Sequence, residues 1–146
     1  MSRFAIVASC FNKLIVDPLV SGAQHTLLKA GIPEQNIEFI WVPGALEIPI
    51  TAQRLSRLKR FDAIVCLGAV IKGNTDHYEH VCREVYRGMT RVSLDSNLPI
   101  TAGVLTVETI QQALERAGGT AGNAGSNAAQ AAFDLVQILD KLGAAA

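Results

Sequence analysis

Six consecutive residues, Lys72, Gly73, Asn74, Thr75, Asp76 and His77, follow directly on an apolar run that ends at Val70-Ile71. Their types suit an anion and a mobile proton. A glycine such as Gly73 lets backbone N–H groups approach a phosphate. A helix starting just beyond would aim its unpaired N–H groups at the same place. Thr75 offers a hydroxyl, either to the anion or as a helix cap. An imidazole titrates near neutral pH, so it can take and return a proton within one reaction cycle. Asp76 points the other way, because a carboxylate in a first helical turn already satisfies the helix dipole. Taken alone, the segment reads as a capped helix start with a surface histidine, or as a phosphate site with a proton shuttle.

Other segments carry a similar double reading. Phe11, beside Asn12, is either core or an aromatic face for a planar ring. In Pro43-Gly44-Ala45-Leu46-Glu47 a turn leads to an acid. Glu47 is either a helix N-terminal carboxylate or an acceptor for the hydroxyls of a polyol. Arg116 ends a short helical stripe, where a cation answers the dipole. It could equally reach a phosphate at the rim of its own or a neighbouring subunit. No Walker loop, nucleophile elbow or zinc spacing occurs. On residue types, the chain carries a small-molecule site for a phosphorylated ligand.

Bringing these segments together requires a particular scaffold. Four apolar runs have strand length: 4–9, 37–42, 62–71 and 99–107. The third is apolar on both faces, as a central parallel strand must be. Helical stripes alternate with them. Val20, Ala23 and Leu27 form one, with Asp17-Pro18 read as its N-cap and first helical position. Ile48, Ala52, Leu55 and Leu58 form the next. Tyr78, Val81, Cys82, Val85, Met89 and Val92 form the third, and Ile110, Ala113, Leu114 and Ala117 the fourth. A loop at 118–127 precedes a last stripe of Ala129, Ala132, Phe133, Val136 and Leu139. The alternation predicts one α/β domain over residues 1–146. It is a flavodoxin-like three-layer αβα sandwich whose four-stranded parallel sheet has order 2-1-3-4. Ligands of such sheets bind beyond the carboxyl ends of the strands. Ser9-Cys10-Phe11-Asn12, the turn at 43–47, the loop at 72–77 and Thr106-Val107-Glu108 each follow one of those ends.

The totals narrow the partners. Thirteen basic and thirteen acidic residues leave zero net formal charge, which provides no electrostatic footprint for nucleic acid or an anionic membrane. Apolar residues make up 49% and charged ones only 18%, a balance that predicts apolar surface covered by other copies. From Ala128 to Leu139 the only charge is Asp134, which favours a second buried helix face, although alanine also tolerates exposure. Cys10, Cys66 and Cys82 read as small hydrophobes in a reducing compartment. The N-terminal apolar stretch is short and broken by Asn12 and Lys13, so no signal peptide is expected and the chain reads as soluble and cytoplasmic. No run approaches a membrane span.

In order along the chain, FN (11–12), VPGALEIP (42–49), LGAVIKGNTDHYEHV (67–81), GVLT (103–106) and RAGGTAGN (116–123) resemble lumazine synthase. VPGA-x-EIP together with G-x-T-x-H-[FY] in one small α/β chain is a specific combination. The resemblance implies a transferase that condenses 5-amino-6-(ribitylamino)uracil with 3,4-dihydroxy-2-butanone 4-phosphate. The product is 6,7-dimethyl-8-ribityllumazine, phosphate and water leave, and the step is the penultimate one of riboflavin biosynthesis. It implies no cofactor and no metal. It also implies a homopentamer or decamer, or a closed shell, with sites shared between adjacent subunits. By resemblance, Phe11 stacks on the pyrimidine, with Asn12 beside it. Ala45, Leu46 and Glu47 hold the ribityl chain, and Val70 and Ile71 offer backbone groups to the ring edge. Gly73, Asn74 and Thr75 cradle the phosphate, Arg116 pairs with it, and His77 shuttles protons.

Many members carry an aromatic in place of Leu46, a Phe in place of Ala102, a Lys in place of Ala124 and an acid in place of Asn127. These departures remove a positive charge near the anion and widen the pocket. They leave open a weakly active or non-catalytic relative that binds a lumazine or flavin or serves as an assembly subunit. The chain begins close to its first strand, where many members have a longer arm that joins a neighbour's sheet. A pentamer or decamer is therefore expected rather than a closed shell.

Overall fold

A computed structural model describes residues 2–144. Strands β1 (Phe4–Ser9), β2 (Ile37–Val42), β3 (Ala63–Ile71) and β4 (Ile100–Val107) form a parallel sheet in the order β2-β1-β3-β4. Helices α1 (Lys13–Lys29), α2 (Ile48–Arg57), α3 (His77–Ser96), α4 (Ile110–Arg116) and α5 (Ala124–Ala144) alternate with the strands and follow the last of them. This is the flavodoxin-like α/β sandwich that the alternation predicts. Every residue of β1 is buried, and so is β3 from Ala63 to Ala69. Both faces of these central strands are therefore covered. Side chains of α1, α4 and α5 pack with Phe4, Ile6, Val65 and Leu67 on one face. Side chains of α2 and α3 pack with Ala5, Val7, Ile64 and Cys66 on the other.

The registers create the feature that matters for function. Pairing of β1 with β3 stops at Ala8 opposite Leu67, whereas β3 continues alongside β4 until Ile71 meets Val107. β3 therefore outruns β1 and leaves a notch above the end of β1.

Local details differ from the sequence pattern in three places. Helix α1 starts at Lys13, and Pro18 lies inside it. Asn12 adopts the left-handed conformation, φ 61° and ψ 44°. Its carbonyl accepts the N–H groups of Ile15 (2.9 Å) and Val16 (3.1 Å), which starts the helix four residues before the Asp-Pro signature. Burial of Ile15 and Val16 outweighs the one helical hydrogen bond that Pro18 cannot donate. Leu58 lies beyond the end of α2 and is exposed. The segment at 118–127 is also ordered: β5 (Ala117–Gly119) and β6 (Gly122–Asn123) form a small antiparallel hairpin, and α5 begins at Ala124. The Asn123 side chain organises this junction. Its Oδ1 accepts the Ser126 N–H at 3.0 Å, a helix cap, and its Nδ2 donates to the Pro18 carbonyl at 3.0 Å.

Next to that tether, Gly125 brings the backbone of α5 against that of α1. A Cβ there would collide with the peptide of Leu19. Backbone cannot swing aside as a side chain can, so Gly125→Ala is expected to lower stability by roughly 2 kcal/mol or more. Urea unfolding measures this; an unchanged midpoint would mean that α5 can back away from α1 freely.

Candidate active site

The ends of β1, β2 and β3 and the first turn of α3 enclose an open cleft of about 430 Å³. It occupies the notch above β1. Phe11 forms one wall from the loop after β1 and is 70% exposed, so the core does not grip its ring. The loop is held instead by its backbone: Cys10 N–H donates to the Val42 carbonyl at 2.7 Å and Phe11 N–H to the Pro43 carbonyl at 3.1 Å. Ala45, Leu46 and Glu47 form the opposite wall as a single 3-10 turn. Gly44 leaves room for the Glu47 carboxylate, since a Cβ there would stand 3.2 Å from Glu47 Oε1. Thr51 donates to the Glu47 carbonyl at 2.8 Å, which fixes the backbone of the acid and leaves its carboxylate at the cleft.

Val70 and Ile71 line the floor as β3 runs past its neighbour. Gly73, Thr75 and His77 complete the rim. His77 is the first residue of α3 and is exposed. Its backbone N–H donates to Thr75 Oγ1 at 3.3 Å, so Thr75 takes the capping role open to it. Asp76 makes no side-chain cap hydrogen bond. The N–H groups of the helix start therefore stay open to an anion, against the nearby carboxylates of Asp76 and Glu79. The loop's own cation, Lys72, stands 4.0 Å from Glu108, with both groups largely exposed, and such a pair is worth little. Among the described residues, no group of three or more His, Cys, Asp or Glu is placed to hold a metal ion.

Four of the site residues expected from the resemblance do not line this cleft. Asn74 is an exposed loop residue. Asn12 points its carboxamide at the Ala69 carbonyl, 3.1 Å away. Ala102 is exposed on β4 opposite Cys66, about 16 Å along β3 from Ile71. Arg116 ends α4, which packs on the α1 and α5 side of the sheet, and its guanidinium donates to the Gln112 carbonyl at 3.1 Å. Conversely, Tyr78 and Val81 line the cleft, although their helical spacing reads only as core. The first turn of α3 overhangs the notch, so the stripe that packs on the sheet further along faces the cleft here. Burial, then the neighbouring Cys82, raises the pKa of the Tyr78 phenol.

Known proteins match this chain closely. The family described as 6,7-dimethyl-8-ribityllumazine synthase matches residues 1–140. A protein of Leuconostoc mesenteroides subsp. mesenteroides named 6,7-dimethyl-8-ribityllumazine synthase is 49% identical over 140 residues, which covers 96% of this chain and 90% of that protein.

Beneath the cleft, complete burial pushes the Cys66 thiol from 9.0 up to about 12. The folded state thus holds this proton more tightly than the unfolded chain. The resulting stabilisation is full below pH 9.0 and is lost as pH rises toward about 12. Tyr78, Cys82 and Tyr86 shift in the same direction, each chiefly by burial. Urea midpoints are expected to fall steadily above pH 9.0, and Cys66→Ala to make the fall shallower. A midpoint independent of pH in that range would contradict the assignment.

Proposed function

This chain belongs to the 6,7-dimethyl-8-ribityllumazine synthase family, and on that footing we propose how its residues divide the work. It is a transferase of riboflavin biosynthesis. It condenses 5-amino-6-(ribitylamino)uracil with 3,4-dihydroxy-2-butanone 4-phosphate to 6,7-dimethyl-8-ribityllumazine, and phosphate and water leave. The observation that carries the division is a single cleft uniting an exposed ring, a carboxylate, an open helix start and an imidazole.

Phe11 stacks on the pyrimidine, whose edge meets the peptide groups of Val70 and Ile71. The ribityl chain lies along Ala45 and Leu46, and the Glu47 carboxylate accepts its hydroxyls in charge-assisted hydrogen bonds. Gly73, Thr75 and the start of α3 hold the phosphate, with Asn74 on the same exposed loop just outside the cleft lining. His77 sits at that helix start, within reach of the reacting atoms beside the phosphate. It takes a proton from the amine as the imine forms, returns it to the departing hydroxyl, and serves the later loss of phosphate and the ring closure. Leu46, Val70, Ile71 and Val81 keep water from the joined substrates. Holding two reactants in one orientation can lower the barrier by up to roughly 10 kcal/mol, so positioning supplies much of the catalysis.

Arg116 and Ala102 belong, in this reading, to the cleft of a second copy. They lie toward the β4 edge of the sheet, while the cleft opens above β1 and β2. Joining one edge to the other is a heterologous contact, the kind that forms a ring when its rotation closes. A homopentamer or decamer fits that contact. Both edges carry apolar surface that a neighbour would cover: Phe39 and Trp41 on β2, and Ile110 and Leu114 on α4, are all substantially exposed. Arg116 then reaches the phosphate as a bidentate partner. No helix among the described residues is long and apolar enough to cross a membrane. The three unpaired cysteines suit the reducing cytoplasm.

Lumazine absorbance after mixing both substrates tests the reading. His77→Ala is expected to lower kcat by about a hundredfold with little change in KM, and Arg116→Ala chiefly to raise the KM for the butanone phosphate. Mixed assemblies of the two variants should regain about a quarter of parental activity, since random assortment leaves that share of sites intact. Activity no higher than the sum of the two variants would assign both residues to one chain. A parent protein that yields no product above the uncatalysed rate would sink the catalytic reading altogether.

A further inference from the structure

We propose that Asn12 is a positioning residue: it clamps the loop after β1 to the overrunning part of β3, and thereby aims the Phe11 ring over the cleft. The inference rests on the reading that Phe11 stacks on the pyrimidine.

The ladder between β1 and β3 ends at Ala8 and Leu67. Beyond it, the Ala69 carbonyl on the β1 side has no strand to receive a hydrogen bond from. Asn12 Nδ2 supplies that bond at 3.1 Å, in a partly buried position. The bond joins the aromatic wall to the floor, because Ala69 itself lines the cleft. Asn12 makes this bond from a left-handed backbone conformation, which asparagine tolerates better than most side chains. Phe11 is thus strapped on both sides, by its own N–H to Pro43 and by the next residue to Ala69. This matters because the ring is 70% exposed. With no core packing to orient it, its direction is set by the backbone that carries it.

The clamp can be cut without unmaking the helix, since the Asn12 carbonyl that starts α1 survives any substitution. Asn12→Asp keeps the size and the backbone tolerance but replaces the donor with an acceptor. Asn12→Gly keeps the left-handed conformation and removes the side chain. Each should raise the KM for the pyrimidine substrate about three- to tenfold, the worth of one hydrogen bond. The KM for the butanone phosphate should stay within about twofold. In a Phe11→Ala background, which should itself raise the pyrimidine KM, neither variant should add a further effect, because no ring remains to be aimed. Unfolding midpoints would be recorded alongside for each variant. An equal rise in both KM values, or the same added factor in the Phe11→Ala background, would overturn the proposal. If Phe11→Ala raises the pyrimidine KM and the Asn12 variants do not, the clamp alone fails. If Phe11→Ala leaves that KM unchanged, the stacking reading fails and takes the clamp with it.

Discussion

A parallel strand that runs on past its neighbour leaves peptide groups and side chains that the sheet no longer covers. In this fold β3 does so beside β1, and the arrangement at the functional end follows from it. Val70 and Ile71 are only half-buried, so apolar surface stays open at the bottom of a notch. The loop after β1, the turn after β2 and the start of α3 wall the notch without filling it. Fully buried strands beneath support the opening. At the junction, where β1 ends, the Ser9 hydroxyl is buried without a hydrogen-bond partner. It sits where Gly68 leaves room, since a Cβ there would come within 2.8 Å of it.

The electrostatics of the cleft are local. The chain has no net charge to draw an anion from a distance, and Lys72 is turned toward Glu108. What remains within the chain is the amide-rich start of α3, loosely capped by Thr75 at 3.3 Å; in the proposed assembly Arg116 of another copy would add a cation. Attraction of this kind acts over the first turn of a helix and no farther. On the proposed reading a phosphate would be held only once it is already in the cleft, which suits a site that aligns two reactants.

Much of the fold was legible because it depends on periodicity. Alternating strands and helical stripes predict the sheet order, and strand ends predict where the rim segments gather. Phe11, Ala45 to Glu47, Val70, Ile71, Gly73, Thr75 and His77 meet in one cleft for that reason. The start of α1 was not legible, because Asp17-Pro18 imitates a helix start, and burial of Ile15 and Val16 decides the matter from a distance. The order within 118–127 was hidden for a similar reason: it depends on Asn123 reaching Pro18 across the chain. The stripe that starts at Tyr78 is helical as its spacing predicts, but spacing cannot tell a helix turn over a sheet from a turn that overhangs it. Ala102 and Arg116 fall outside the cleft of their own chain, and one chain's pattern carries no register for a contact between copies.

The departures from the family pattern are not scattered. Ala102 lies on β4, and Ala124 begins α5 where its carbonyl crowds Gly103 of that strand. Asn127 follows one turn later, and Thr101 ties the same strand to α5 through the Ala128 carbonyl at 2.8 Å. In the proposed assembly all three would fall in the half of the site that a neighbour contributes, whereas the half built on β1, β2 and β3 departs only at Leu46. If a partner brings alanine where an aromatic is common, the pyrimidine meets one ring instead of two. Offset stacking depends strongly on geometry, and a lone exposed ring has no second face to correct its tilt. The fewer aromatics the cleft holds, the more its grip on the substrate depends on how the backbone after β1 is fastened.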